Sequence, residues 1–165
     1  MCQDGPVSST DPDPLARTEL TFLLGMGFQL VLQEFVRRVA DAGYADLRPV
    51  HGMVFQALRG SGATSTELAE RLGVTKQAAG QIVDDLERRG YLRRQSHPAG
   101  GRRRLIVLTD KATHHLRVAG HVLHSLEAEL AAQLGDADLA GLRVALARLV
   151  RELAGTELPP LRPIW

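Results

Sequence analysis

The sequence predicts a mainly α fold carrying one small β wing. Apolar residues recur at three- and four-residue spacing through most of the chain. Ser, Thr or Asp caps and Gly stops bracket these stretches. Strand-like runs occur once, at 91–94 and 104–108. Aromatics make up only 4% of the 165 residues, so the core must rest on Leu, Val and Ala, and Leu and Ala favour helix.

Residues 1–12 hold almost nothing apolar and are expected to be a disordered extension. Asp13-Pro14 reads as an N-cap with Pro at the first helical position, opening a helix that runs to about Ala42. Leu24, Phe28, Val31, Phe35 and Val39 form its stripe. Leu20 to Leu32 is apolar nearly all round, which predicts burial on more than one side. Pro49 restarts a helix to about Leu58, and Gly60 and Gly62 end it. Thr64-Ser65-Thr66-Glu67 is a capping-box pattern before a short helix with Leu68, Ala69 and Leu72, stopped by Gly73.

Thr75 caps the next helix, with Ala79, Ile82, Val83 and Leu86 on one stripe and Gly90 as its stop. His97 to Gly101 is the tip between the two strands. Asp110 is expected to cap a helix from Lys111 to about Leu134, with Leu116, Ala119, Leu123, Leu126 and Leu130 as its seam. After Gly135-Asp136 a last helix repeats that spacing with Leu139, Leu142, Leu146, Leu149 and Leu153. Such seams pack against other helices. Residues 155–165 carry three Pro and form a non-helical tail ending in Trp165.

Several classes fall away on these grounds. A lone cysteine, Cys2, excludes an internal disulfide framework. No apolar run reaches the ~18 residues of a membrane span, and a signal-peptide pattern is missing. The expectation is a cytoplasmic protein that does not engage a membrane. No serine elbow, phosphate loop or grouped carboxylates point to an enzyme, and no cofactor is expected.

Charge is uneven. The whole chain carries +1, yet Thr75 to Thr109 holds eight basic residues against three acidic ones, a local +5 that leaves −4 elsewhere. Such asymmetry points to a polyanion partner for one region. In that region a short capped helix, the turn Gly73-Val74-Thr75, a longer helix and an arginine-bearing hairpin follow in order. Two helices joined by a short Gly-containing turn make a helix-turn-helix, whose second helix fits the DNA major groove. Off its apolar stripe lie Thr75, Lys76, Gln77, Gly80, Gln81 and Asp84. Gln pairs bidentately with adenine, and Lys reaches guanine or phosphate. Thr64, Ser65 and Thr66 open the first helix beside it, and Arg102, Arg103 and Arg104 supply a basic wing suited to the minor groove. The candidate DNA contacts are therefore Thr64, Ser65, Thr66, Thr75, Lys76, Gln77, Gly80, Gln81, Arg102, Arg103 and Arg104.

These residues carry a resemblance. Leu68 to Val74, Lys76 to Leu92, and Arg102 with Leu108-Thr109 resemble the MarR family of bacterial winged helix-turn-helix regulators, and the resemblance extends over about 15–154. It implies a MarR-type domain over 13–154, with a DNA-binding lobe at about 48–109 and dimerisation helices at about 14–42 and 111–154. It further implies a homodimer reading a palindromic operator on double-stranded DNA, with repression as the default. By position Arg102 is the wing arginine of the family. The family commonly places Asp two residues before it, and here that residue is Gly100.

Family members commonly answer to a small anionic or aromatic effector, and the candidate lining here is Phe22, Met26, His51 and Phe55. One alternative is a zinc-responsive regulator using His114, His121 and His124, which share a helix face. Another is a protein-binding winged helix without DNA affinity. Redox sensing through Cys2 is disfavoured, because no neighbouring residue would lower its pKa.

Overall fold

The computed structural model describes residues 13–96 and 103–158. The chain divides into two units, Met1–Glu34 and Phe35–Trp165.

In the first unit Asp13 accepts the Leu15 N–H at 3.0 Å, as a cap should. It opens only a 3-10 turn, Pro14–Arg17, and not the continuous helix expected from the sequence. Thr18 is the reason. Its hydroxyl donates to the Pro14 carbonyl at 3.2 Å, taking the acceptor a continuing α-helix would need. Its backbone then turns extended, at φ −75° and ψ 136°. Helix α1 follows at Leu20–Val39. The expected burial on several sides is not met: Phe22 is 64% and Leu30 66% exposed. Hydropathy reports a demand for cover without naming its source.

The second unit holds the core, built on Val54, Phe55, Leu58, Leu68, Val83, Leu86, Tyr91 and Ile106. A π-type turn at Ala40–Tyr44, with Gly43 at φ 95°, follows α1. Helix α2 (Pro49–Leu58) starts after an extended Arg48, the conformation a following Pro imposes. Helix α3 (Ser65–Leu72) carries the predicted capping box: Glu67 N–H donates to the Thr64 hydroxyl, and Thr64 N–H to the Glu67 carboxylate. Gly73 stops it in the left-handed region at φ 65°. Helix α4 (Lys76–Arg88) is capped by Thr75, which accepts the Ala78 N–H at 3.1 Å.

Strands β1 (Leu92–Ser96) and β2 (Arg104–Leu108) pair antiparallel, with Leu92 opposite Leu108 and Arg94 opposite Ile106. Strand β1 starts one residue later than expected, because the Tyr91 N–H is given to the Leu86 carbonyl at the end of α4 at 2.9 Å. Ala63 exchanges both backbone hydrogen bonds with Ile106, at 3.1 and 2.8 Å, adding a short third rung.

Helix α5 (Asp110–Leu134) is capped by Thr109 and not by Asp110. The Thr109 hydroxyl also donates to the Gly90 carbonyl, so the cap doubles as a tie to the turn before the wing. Helix α6 (Asp136–Ala154) packs on α5 yet buries no residue of its own.

Candidate nucleic-acid interface

Helix α4 divides cleanly into two faces. Ala79, Val83 and Leu86 are buried on one, while Thr75, Lys76, Gln77 and Gln81 are exposed on the other. Gly80 is half-buried, and a Cβ there would meet nothing within 4 Å, so the backbone stands open at that point. The local reason is the 3.6-residue period: Ala79, Val83 and Leu86, with the partly buried Ile82, face the core and leave the polar positions outside. On α3, Ser65 is half-buried and Thr66 exposed. Thr64 has its hydroxyl committed to Glu67, which it donates to at 2.9 Å.

The local charge resolves into two groups. Arg88 and Arg89 pair with Asp85 at 2.9 and 2.8 Å. Arg94 pairs with Asp84 at 2.6 Å and with Glu87. All three acids of the segment are thereby matched by arginines that lie along α4 and β1. Lys76, Arg93, Arg103 and Arg104 are exposed, and none joins an ion pair among the described residues. Asp84 is exposed on the open polar face, as expected, and there also pairs with Arg94. Arg102 and Gly100 lie outside the described residues, as do Cys2 and Trp165.

A second network anchors the end of α4. Arg89 donates to the Asp46 carbonyl, Tyr91 hydroxyl to the Asp46 carboxylate at 3.0 Å, and Lys111 to the Arg89 carbonyl at 2.9 Å. The Lys111 ammonium also stands 3.9 Å over the Tyr91 ring. Burial and the Asp46 bond push the Tyr91 hydroxyl up to about 12, so it stays a donor. Sequence reasoning missed the Arg94 cluster and the Asp46 network, because their partners lie 7 to 45 residues apart and follow no local period.

The four residues expected to line an effector site differ in exposure. His51 and Phe55 are fully buried at 0% exposure, whereas Phe22 and Met26 are 64% and 39% exposed. His51 serves α2 as a cap, its Nδ1 accepting the Arg48 N–H at 3.1 Å. A cavity of about 460 Å³ instead lies between the end of α2, β2 and α5, with Arg59, Leu108, Leu116, Arg117, His121 and His124 in its wall. The histidine trio does not assemble either. Among the described residues no group of three His, Cys, Asp or Glu is placed to hold a metal. His121 and His124 line that cavity, while His114 sits by Arg117 and the Tyr44 ring. No helix among the described residues is long and apolar enough to cross a membrane.

Comparison with known proteins agrees with this architecture. Residues 45–103 match the model of the MarR family. The chain is similar to the transcriptional repressor CouR, solved bound to a 23-mer DNA duplex, with 28% identity, a TM-score of 0.66, and coverage of 83% of this chain and 95% of that one. It shares its fold with MepR, a transcription regulator of the Staphylococcus aureus multidrug efflux pump MepA (19% identity, TM-score 0.68, 82% and 99% covered). YusO from Bacillus subtilis has the same fold, at 20% identity, a TM-score of 0.65, and 80% and 92% covered. No curated protein matches the chain in sequence.

Proposed function

As residues 45–103 match the model of the MarR family, we propose that this chain is a MarR-type regulator, a homodimeric, sequence-specific DNA-binding protein acting on a palindromic operator in the cytoplasm. The observation that carries this reading is α4: seated by Ala79, Val83 and Leu86, it offers Lys76, Gln77 and Gln81 on its exposed face. The exposed cations Arg93, Arg103 and Arg104 on the adjoining hairpin, unpaired among the described residues, supply the phosphate attraction. Arg102 is the proposed minor-groove arginine, and repression the proposed outcome. The likeness to CouR, solved bound to a DNA duplex, supports DNA as the partner.

DNase protection of the DNA upstream of its own coding region tests this. The expected result is a protected palindrome with affinity falling steeply as salt rises. Arg102→Ala should weaken binding and lower the salt slope by about one unit. Binding that ignores salt, or no protection, would favour the protein-binding alternative.

Dimerisation is supported by faces that find no cover within one chain. Leu142, Val144, Val150 and Leu153 of α6 are 49%, 60%, 51% and 80% exposed. Leu142, Val150 and Leu153 share one side of the helix, and exposed apolar surface of this kind marks an association site. Sedimentation should give twice the 18.0 kDa chain mass, and Leu153→Glu with Val150→Glu should shift it toward one. A monomer in the unaltered protein would sink the two-fold reading.

The effector is proposed to enter the cavity at Arg59 and Arg117. Two guanidiniums and two imidazoles above Leu108 and Leu116 suit an anionic group on an apolar body. Release of the footprint by aryl carboxylates, but not by zinc, is the expected pattern.

A further inference from the structure

The hairpin that carries the wing is only two strands of five residues each. A ribbon of that size is marginal by itself and takes its direction from whatever holds its edges. On the β2 side the holder is Ala63, which takes both outward backbone groups of Ile106. Opposite Ile106 in the register stands Arg94 of β1. Its outward N–H, free of any cross-strand partner, donates to the Glu87 carboxylate of α4 at 3.1 Å. Its guanidinium then grips the same Glu87 and also Asp84, one helical turn earlier, at 2.6 Å. A single residue of the wing is thus tied to α4 through three groups. Two carboxylates in a fixed row match the planar fork of arginine, which a lysine does not reproduce.

We propose that Arg94 is a positioning residue for DNA binding: with Glu87 and Asp84 it sets the distance and angle between α4 and the wing, so that one docking event serves both. The proposal rests on the DNA-binding reading above. Its physical basis is leverage. From Arg94 to the end of β1 each residue carries the strand about 3.3 Å farther from the clamp, so a rotation at Arg94 is passed on, enlarged, to Ser96 and its partner Arg104. Arg94 does not act as a phosphate contact, because its donors are spent on α4. Sequence reading placed it among the general basic charge; only the register with Ile106 and the two carboxylates reveal a different use.

The test compares Arg94→Met, Arg94→Lys and the triple variant Asp84→Asn/Glu87→Gln/Arg94→Met in operator binding across a salt series. Circular dichroism and melting verify that each is folded. Arg94→Met should lose roughly tenfold or more in operator affinity, within the range for coupled networks, with the salt slope unchanged. The triple variant should stay weak, since removing the bared carboxylates does not rebuild the clamp. A slope that falls by about one would reassign Arg94 as a phosphate contact and overturn the proposal. So would recovery of affinity in the triple variant, which would mean charge masking alone. Equal affinity in Arg94→Met and the unaltered protein overturns it too. If Arg94→Met does not fold, Arg94→Lys decides: it keeps the charge but not the fork, and should still bind weakly with an unchanged slope. Failure of the unaltered protein to bind DNA would count against the functional reading and is seen separately.

Discussion

Gly62→Ala is expected to cost about 3 kcal/mol or more of folding stability and to loosen the wing from the lobe. Gly62 sits at φ +74°, where an L side chain is strained. A Cβ there would lie 2.4 Å from the Ile106 carbonyl oxygen and 2.8 Å from a Val107 methyl. Neither can yield cheaply. Ile106 is itself locked to Ala63 in both directions, and it is fully buried. The chain must therefore part at the Ala63–Ile106 rung, taking β2 with it. Gly60 supplies the control. It has a similar φ of +85°, but a Cβ there meets nothing within 4 Å. Gly60→Ala should cost only the positive-φ penalty of about 1–2 kcal/mol. Urea unfolding of the two variants separates backbone strain from collision. Equal losses would show that the Ile106 contact carries no weight.

Acidification from pH 7 to pH 5 is expected to destabilise the fold steeply, because two histidines are buried in the core of the Phe35–Trp165 unit. His115 of α5 is 4% exposed and lies edge-on to Tyr44 at 4.7 Å and to Phe55 at 5.4 Å. Its Nδ1 has no hydrogen-bond partner among the described residues. Burial lowers its pKa from 6.5, and Asp46 opposes that only in part. His51 is lowered by burial first, then by Arg48 and Arg89, against Asp85 and Asp46. Its Nδ1 accepts the Arg48 N–H, so a second ring proton would set donor against donor at the start of α2.

The direction follows from linkage. Both groups bind protons more weakly folded than unfolded, so the unfolded chain takes up more protons as pH falls below 6.5. Stability is fully present above that value and is lost as pH falls toward the lowered folded values. Each histidine contributes at most about 1.4 kcal/mol per pH unit in this window. His115→Phe should remove its share and flatten the curve, while keeping ring contacts with Tyr44 and Phe55. Unfolding midpoints from pH 7.5 to pH 5 give the answer. A flat profile in the unaltered protein, or one unchanged by His115→Phe, would remove His115 from this role.

The legible part of this protein is its local part. Thr64 with Glu67, Thr75 with Ala78, and Gly73 in the left-handed region are all decided within three or four residues. So were the faces of α4, since one period sorts Ala79, Val83 and Leu86 from Lys76, Gln77 and Gln81. Local rivals were harder to rank. Asp110 and Thr109 are both good caps, and Thr109 took the position while also bonding Gly90. Thr18 could have continued a helix, and its hydroxyl ended the turn instead.

Sequence by itself determined the helices, their caps, the hairpin and the charge excess of 75–109, because each depends on neighbours along the chain. Tertiary structure completed the choice of which charges stay available. Helical spacing already sets Arg88 and Arg89 on Asp85, but only the folded chain spends Arg94 on Asp84 and Glu87, and leaves Lys76, Arg93, Arg103 and Arg104 exposed. It also buried His51 and Phe55, and opened a cavity beside Arg59 and Arg117. The reason is common to both. A side chain's type states what it must satisfy, but only the folded chain brings up the partner that satisfies it.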